Sequence, residues 1–181
     1  MILSDRELVE MLREPRTRRE GFAVLVKQYS EKLYWKVRRI VLSHEDANDV
    51  LQNVFIKVWN NLQNFQGKSA LSTWLYRIAI NESLDFLRKQ KQTDMVSSDE
   101  DLSISSRLMS DEYFDGDEIQ ARLQEAVARL PEVQRTVFNL KYFEEMKYSE
   151  ISQILNTSEG ALKASYHLAV KKITEYLHLF D

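Results

Sequence analysis

Apolar residues recur at the helical period through almost all of this chain, and the recurrence stops once, between about residues 92 and 116. Side chains three and four positions apart share one face of an α-helix. A chain patterned this way buries one stripe per segment, and helix must pack on helix. The stretch "HEDANDVLQNVFIKVWNNLQNF" is the clearest case: Val50, Leu51, Val54, Phe55, Val58 and Leu62 fall on one side. With only 4 Gly and 2 Pro, the chain also lacks the turn residues that a β-rich fold uses often. The expected class is all-α.

The interruption divides the chain into two helical domains. In the first, residues 1–91, Ser4 and Glu7 have the spacing of a capping box, and the opening helix ends near Pro15. "REGFAVLVKQYSEKLYWKVRRIVL" follows, with a break expected near Ser30, then the helix quoted above, the loop "QGKSA" and the helix "STWLYRIAINESLDFLRKQ". Residues 92–116 are rich in Ser and carboxylates, with Arg107 the only base and Met95, Leu102, Ile104 and Leu108 sparse apolar residues. Such a stretch buries too little apolar area to offset its ordering entropy, and is expected to be a flexible acidic linker. The second domain, 117–181, holds "DEIQARLQEAVARL", "PEVQRTVFNLKYF" with Pro131 at a first helical turn, "YSEISQIL" and "EGALKASYHLAVKKITEYLHLF".

The chemistry-bearing residues argue against an enzyme. Cysteine is absent, no glycine-rich phosphate loop occurs, and His44, His167 and His178 lie far apart without a metal-binding spacing. No metal, cofactor or small-molecule substrate is expected. The start, "MILSDRELVEMLRE", reads neither as a secretion signal nor as a membrane span, so the expected location is the cytoplasm. The net charge of -3 hides an alternation. "RTRRE" and "KVRRI" are basic, the linker is acidic, and "LAVKKI" is basic again.

Three faces call for partners. On the helix at 72–90, Leu75, Ile78, Ala79 and Phe86 form the expected core side, which leaves Trp74, Arg77, Asn81, Leu84 and Arg88 on the other. A solvated face would carry Glu and Lys there. On the helix before it, Asp49, Gln52 and Asn53 cluster on the polar side. Near the C-terminus, Asn156 suits a left-handed helix end and Ser158 an N-cap, so two helices meet across "NTS" as a helix-turn-helix. The second helix of such a motif commonly enters a DNA major groove, and Lys163, Ser165, His167 and Lys171 are its candidate outward residues.

Both halves resemble one family, the extracytoplasmic-function sigma factors of bacterial RNA polymerase. "EDANDVLQNVFIKVWNNLQNFQGKSALSTWLYRIAINESLDFLRK" resembles their region 2, and "LPEVQRTVFNLKYFEEMKYSEISQILNTSEGALKASYHLAVKKI" their region 4. The resemblance implies a non-catalytic subunit that binds polymerase core, reads the −10 and −35 promoter elements and helps to open the duplex. It implies that Asp49, Gln52 and Asn53 dock on the clamp helices of the largest polymerase subunit, with Asn53 standing where the family usually has Glu. It matches Asn81 to the family asparagine at an extruded −10 base, which its amide can read, and the stripe mates Trp74, Arg77 and Arg88 are the candidates for stacking and phosphate contact with the −10 strand. Trp74 and Tyr76 lie on different sides of their helix, and either can be core instead. Lys163, Ser165, Tyr166, His167 and Lys171 are implied for the −35 element, Tyr166 either packing or touching a thymine methyl. Ser165 and Leu168 occupy places where the family often has arginines, and Lys147 one where it often has a Ser or Thr cap. An anti-sigma factor, membrane-anchored in many members, is the implied regulator. The alternative is a stand-alone helix-turn-helix regulator, which gives the Trp74, Arg77, Asn81 stripe no purpose.

Overall fold

The structure, a computed structural model, describes residues 2–93 and 116–180, with side chains omitted at 92, 93 and 180. The linker expected at 92–116 lies almost wholly outside the described residues. Two units are present, Met1–Met95 and Val96–Asp181. No strand occurs among the described residues.

The first unit consists of α1 (Asp5–Arg13), α2 (Arg18–Val41), α3 (His44–Asn61), a 3-10 turn (Leu62–Asn64) and α4 (Leu71–Thr93). The Ser4 hydroxyl accepts from the Glu7 amide at 3.3 Å, and the Glu7 carboxylate accepts from the Ser4 amide at 2.8 Å, so the capping box forms. Helix α2 runs unbroken through Ser30, whose hydroxyl bonds back to the Val26 carbonyl instead of ending the helix. It stops at Leu42, which is left-handed at φ 69°. Ser43 then caps α3 by accepting from the Asp46 amide at 3.4 Å.

Helix α2 packs against α1, α3 and α4, and α3 packs against α4. Leu8, Leu25, Leu33, Val37, Val50, Val54, Val58, Leu75 and Ala79 are wholly buried between them. At Gly21 a Cβ would meet that of Met11 at 2.9 Å, so α1 and α2 approach closely only because a glycine stands there. Lys57 of α3 forms an ion pair with the buried Glu82 of α4, which ties those two helices at their shared edge. Helix α4 continues to Thr93, two residues past the expected domain end.

The second unit consists of α5 (Glu118–Ala128), α6 (Glu132–Phe138), a π turn (Asn139–Phe143), α7 (Tyr148–Leu155), α8 (Glu159–Leu177) and a closing 3-10 turn (His178–Phe180). "PEVQRTVFNLKYF" is therefore not one regular helix, since its last turn widens before Glu145 reverses at φ 52°. Ala126, Val127, Leu130, Phe138, Ala169 and Ile173 form the core, with Leu123, Phe143, Tyr166, Tyr176 and Leu177 packed at its border. Helix α8 supplies the longest element and packs on α5, α6 and α7. No helix among the described residues is long and apolar enough to cross a membrane.

Candidate nucleic-acid and polymerase interface

The reading stripe on α4 is narrower than the sequence suggested. Arg77, Asn81 and Arg88 face solvent, and Trp74 is half-buried at their edge. Leu84, expected among them, is instead buried at 7% exposure. Ile78 and Phe86, expected in the core, are only half-buried, and Ile80 and Leu87 are buried in their stead. The cause is that α4 packs against both α2 and α3, so the buried arc spans well over half its circumference. What remains outward is Arg77, Asn81 and Arg88 along one line, joined by Lys89 and Lys91 near the helix end. Tyr76, on the other side, is half-buried with the Lys36 ammonium 4.1 Å from its ring centre. Burial and then Asp5 push its phenol up.

Trp74 does not stand free. Its ring meets that of Phe65 at 5.1 Å between centroids, and Phe65 begins the loop that leads into α4. The loop turns at Gly67, whose φ of +70° suits glycine. Trp74 thus joins the loop to the Arg77–Asn81 strip, with part of its ring still accessible. The side-chain amide of Asn81, exposed on α4, makes no hydrogen bond within the described residues, so its donor and acceptor are both available. Arg88 is less available, because its guanidinium donates to Asp85 at 2.7 Å.

On α3, Asp49, Gln52 and Asn53 are all exposed. The same stripe continues one turn further through Ile56 and Trp59, which are 52% and 39% exposed. Trp59 is braced edge-on by Phe22 at 5.0 Å. Ile56 follows Asn53 by three residues and Gln52 by four, and Trp59 follows Ile56 by three, the helical spacing that puts all of them on one face. A polar end and an apolar end on one helix face are the ingredients of a protein interface.

In the second unit the helix-turn-helix is formed. α7 ends at left-handed Asn156 (φ 50°), and the Ser158 hydroxyl accepts from the Ala161 amide at 3.3 Å to start α8. At the head of α7, Lys147 offers no acceptor. Only the reverse bond exists, from the Lys147 amide to the Glu150 carboxylate at 3.0 Å. On α8, Lys163, His167 and Lys171 are exposed, while Ser165 is half-buried. Lys163 reaches over the Tyr148 ring, 5.6 Å from its centre, and Lys171 approaches Glu175 at 4.0 Å. Tyr166 faces the other way. Its ring lies nearly parallel to Phe138 at 5.8 Å and edge-on to Tyr148 at 6.5 Å, and burial pushes its phenol up. Tyr166 thus packs against Phe138 and Tyr148. Leu168, 46% exposed, stands on the outward side.

An all-helical protein with a helix-turn-helix in one unit and an amide–guanidinium strip in the other has the form of a DNA-reading protein. The Sigma-70 region 2 family model matches residues 25–93, and the Sigma-70, region 4 model matches residues 120–173. The chain is 32% identical over 157 residues to the ECF RNA polymerase sigma factor SigW of Bacillus subtilis, covering 82% of this chain and 84% of that protein. It is 32% identical over 182 residues to the RNA polymerase sigma-H factor of Pseudomonas aeruginosa, covering 96% and 93%. Among solved structures, the sigma factor RpoE in complex with the anti-sigma factor NepR from Bartonella quintana has a TM-score of 0.68 at 20% identity, over 88% of this chain and 98% of that one. CnrH in complex with the cytosolic domain of CnrY has a TM-score of 0.62 at 21% identity, over 98% and 99%. The chain belongs to the extracytoplasmic-function sigma factors of the sigma-70 family. It is an alternative sigma factor that directs promoter-specific transcription. Family matches in both units leave the stand-alone regulator, which needs only the second, the weaker reading.

Proposed function

We propose that this sigma factor reads its promoter mainly with the first unit and anchors it with the second. The observation that carries the reading is the solvent-facing strip Arg77–Asn81–Arg88 on α4, whose amide has no partner within the described residues. Asn81 reads an extruded −10 base by pairing donor and acceptor with its edge. Arg77 and Arg88 attract the strand's phosphates, and Trp74 offers a partly exposed ring beside them. Lys163, His167 and Lys171 anchor the −35 duplex, with Ser165 at the margin. Leu168 is apolar where a guanine-reading side chain would stand.

The α3 face of Asp49, Gln52 and Asn53, extended by Ile56 and Trp59, docks on the clamp helices of the largest polymerase subunit. The chain acts without catalysis of its own, in the cytoplasm, where polymerase and promoter are. An anti-sigma factor is the expected regulator. Of the solved folds it resembles, RpoE is in complex with the anti-sigma factor NepR, and CnrH with the cytosolic domain of CnrY. Run-off transcription with purified core on a randomised promoter library tests the whole reading. Enrichment of one −10 sequence only when this chain is present is the expected result, and transcription unchanged by its addition would refute it.

A further inference from the structure

The basic run "RTRRE" forms the turn between α1 and α2, apart from the reading strip, the docking stripe and the recognition helix. Arg18 is committed within the fold: its Nε donates to the Leu12 carbonyl at 3.0 Å and its Nη2 to the Arg13 carbonyl at 3.4 Å. The Thr17 hydroxyl donates to the Met11 carbonyl at 2.9 Å. These bonds close the free C-terminal carbonyls of α1 and fix the turn. Arg13, Arg16 and Arg19 face solvent, and none is in an ion pair within the described residues. The neighbouring carboxylates Glu14 and Glu20 leave the turn net positive.

Its position matters more than its charge. A methyl group at Gly67 would meet the Arg13 guanidinium at 3.4 Å, so that guanidinium lies against the loop that leads into α4. Phe65 of the same loop holds Trp74 at 5.1 Å, and Lys68 follows Gly67. Helix α1 also packs against the 3-10 turn at Leu62–Asn64. Arg13 and the α4 strip therefore flank one short loop. The Arg77–Asn81–Arg88 strip itself holds only two cations, Arg77 and Arg88, and Arg88 is shared with Asp85 in an exposed ion pair. A strand carrying one phosphate per nucleotide needs more positive charge nearby than Arg77 and a shared Arg88 supply.

We propose that the α1–α2 turn is a phosphate-binding surface, and that Arg13, assisted by Arg16 and Arg19, holds the backbone of the promoter strand whose base Asn81 reads. The inference rests on the −10 reading of α4. Arginine suits the task because its planar fork meets two phosphate oxygens at once. A turn fixed by Arg18 presents the fork with little ordering left to do.

The test uses the full chain in holoenzyme, with open-complex formation measured against salt for the wild type, Arg13→Gln, Arg13→Lys and the triple variant Arg13→Gln, Arg16→Gln, Arg19→Gln. Each phosphate neutralised on a single strand adds about 0.7 to the steepness of log K against log salt, so the triple variant should be shallower by about 2. The weakening should be equal for every −10 base substitution, and Arg13→Lys should recover most of the slope. An unchanged slope in the triple variant overturns the proposal. So does a fall in affinity that Arg13→Lys does not recover and salt does not modulate, which would make Arg13 a brace for the loop. Weakened binding to core without DNA would assign the turn to polymerase and overturn it equally. Asn81→Ala run alongside separates the two readings. If it flattens base preference while the arginine variants do nothing, the −10 reading stands and this inference falls. If base preference survives, the −10 reading itself has failed and this inference falls with it.

Discussion

The two units place their aromatic residues differently. In the first, α2, α3 and α4 are long enough to close a core of Leu, Val, Ile and Ala around the buried Tyr29 and Tyr34, and the other aromatic rings are left at its margins. Phe22 props Trp59 beside the docking stripe, and Phe65 props Trp74 beside the reading strip. In the second, several helices are short, the core is mainly aliphatic around Phe138, and further rings gather about Phe138. Phe138 lies nearly parallel to both Tyr142 and Tyr166, Phe143 meets Phe138 edge-on, and Tyr148 meets Tyr166 edge-on. Tyr166 is thereby taken from the recognition helix itself. The lesson concerns where specificity can reside. In the proposed reading, α4 spares its polar side chains for the base, whereas α8, with Tyr166 stacked on Phe138, keeps mainly its lysines and meets DNA through charge.

The largest effect expected from this contrast is on docking. Asp49→Arg with Gln52→Ala should weaken holoenzyme formation by about 2–5 kcal/mol if the carboxylate is desolvated against a partner cation. Both residues are exposed, so the fold should be spared. Titration of core with labelled sigma measures it. Unchanged affinity would place the docking surface elsewhere.

Next comes Tyr166. Tyr166→Ala should destabilise the second unit by about 2 kcal/mol, less than a full aromatic deletion because the ring is only half-buried. Tyr166→Phe should leave −35 discrimination as it was. All 3 tryptophans, Trp35, Trp59 and Trp74, lie in the first unit, so their fluorescence melt should not move in either variant while the far-UV circular dichroism melt of Tyr166→Ala does. A change of −35 preference in Tyr166→Phe would show that its hydroxyl reads DNA after all.

Smaller effects come from the recognition-helix lysines. Lys163→Gln with Lys171→Gln should lower the salt slope of duplex binding by about 1.8, at about 0.9 per phosphate. Relative preference among −35 sequences should survive. A collapse of that preference with no change in slope would reverse the division of labour between the units.

The smallest effect is alkaline and confined to the first unit. Burial, followed by the charges of Arg39 and Lys32, pushes the Lys36 ammonium down to about 8. Its folded value lies below its unfolded one, so between about pH 8 and 10 the unfolded chain binds more protons and stability should rise with pH. Tryptophan fluorescence melts should shift upward across that window, and Lys36→Met should remove the shift. A flat profile in the wild type would mean that Lys36 is solvated in the folded state.

How far the sequence could be read follows the same contrast. Caps were legible because they are local: Ser4 with Glu7, Asn156 and Ser158 do what their side chains do best at helix ends. The class of fold was legible from period alone. Leu84 was not, because a helical wheel divides a helix into halves, and only the packing of α4 between two neighbours widens its buried arc. Ser30 misled because an interior serine has a second option, the carbonyl four residues back. The packing of Tyr166 is not legible because its partner Phe138 lies far away in the chain, and spacing along one helix cannot reveal a ring stacked from another. Trp59 was visible as a position but not as a surface, since its exposure depends on how α2 meets α3.

The central claim is that base discrimination belongs to α4, and it is tested most directly by base preference at the extruded −10 position. Open-complex formation by holoenzyme is compared for wild type and Asn81→Ala on four promoters that differ only at that base. The expected result is that the wild type favours one base by about 1–3 kcal/mol, and that Asn81→Ala makes the four nearly equal while −35 dependence and the first unit's melting temperature stay put. Preference for that base undiminished in Asn81→Ala would contradict the claim.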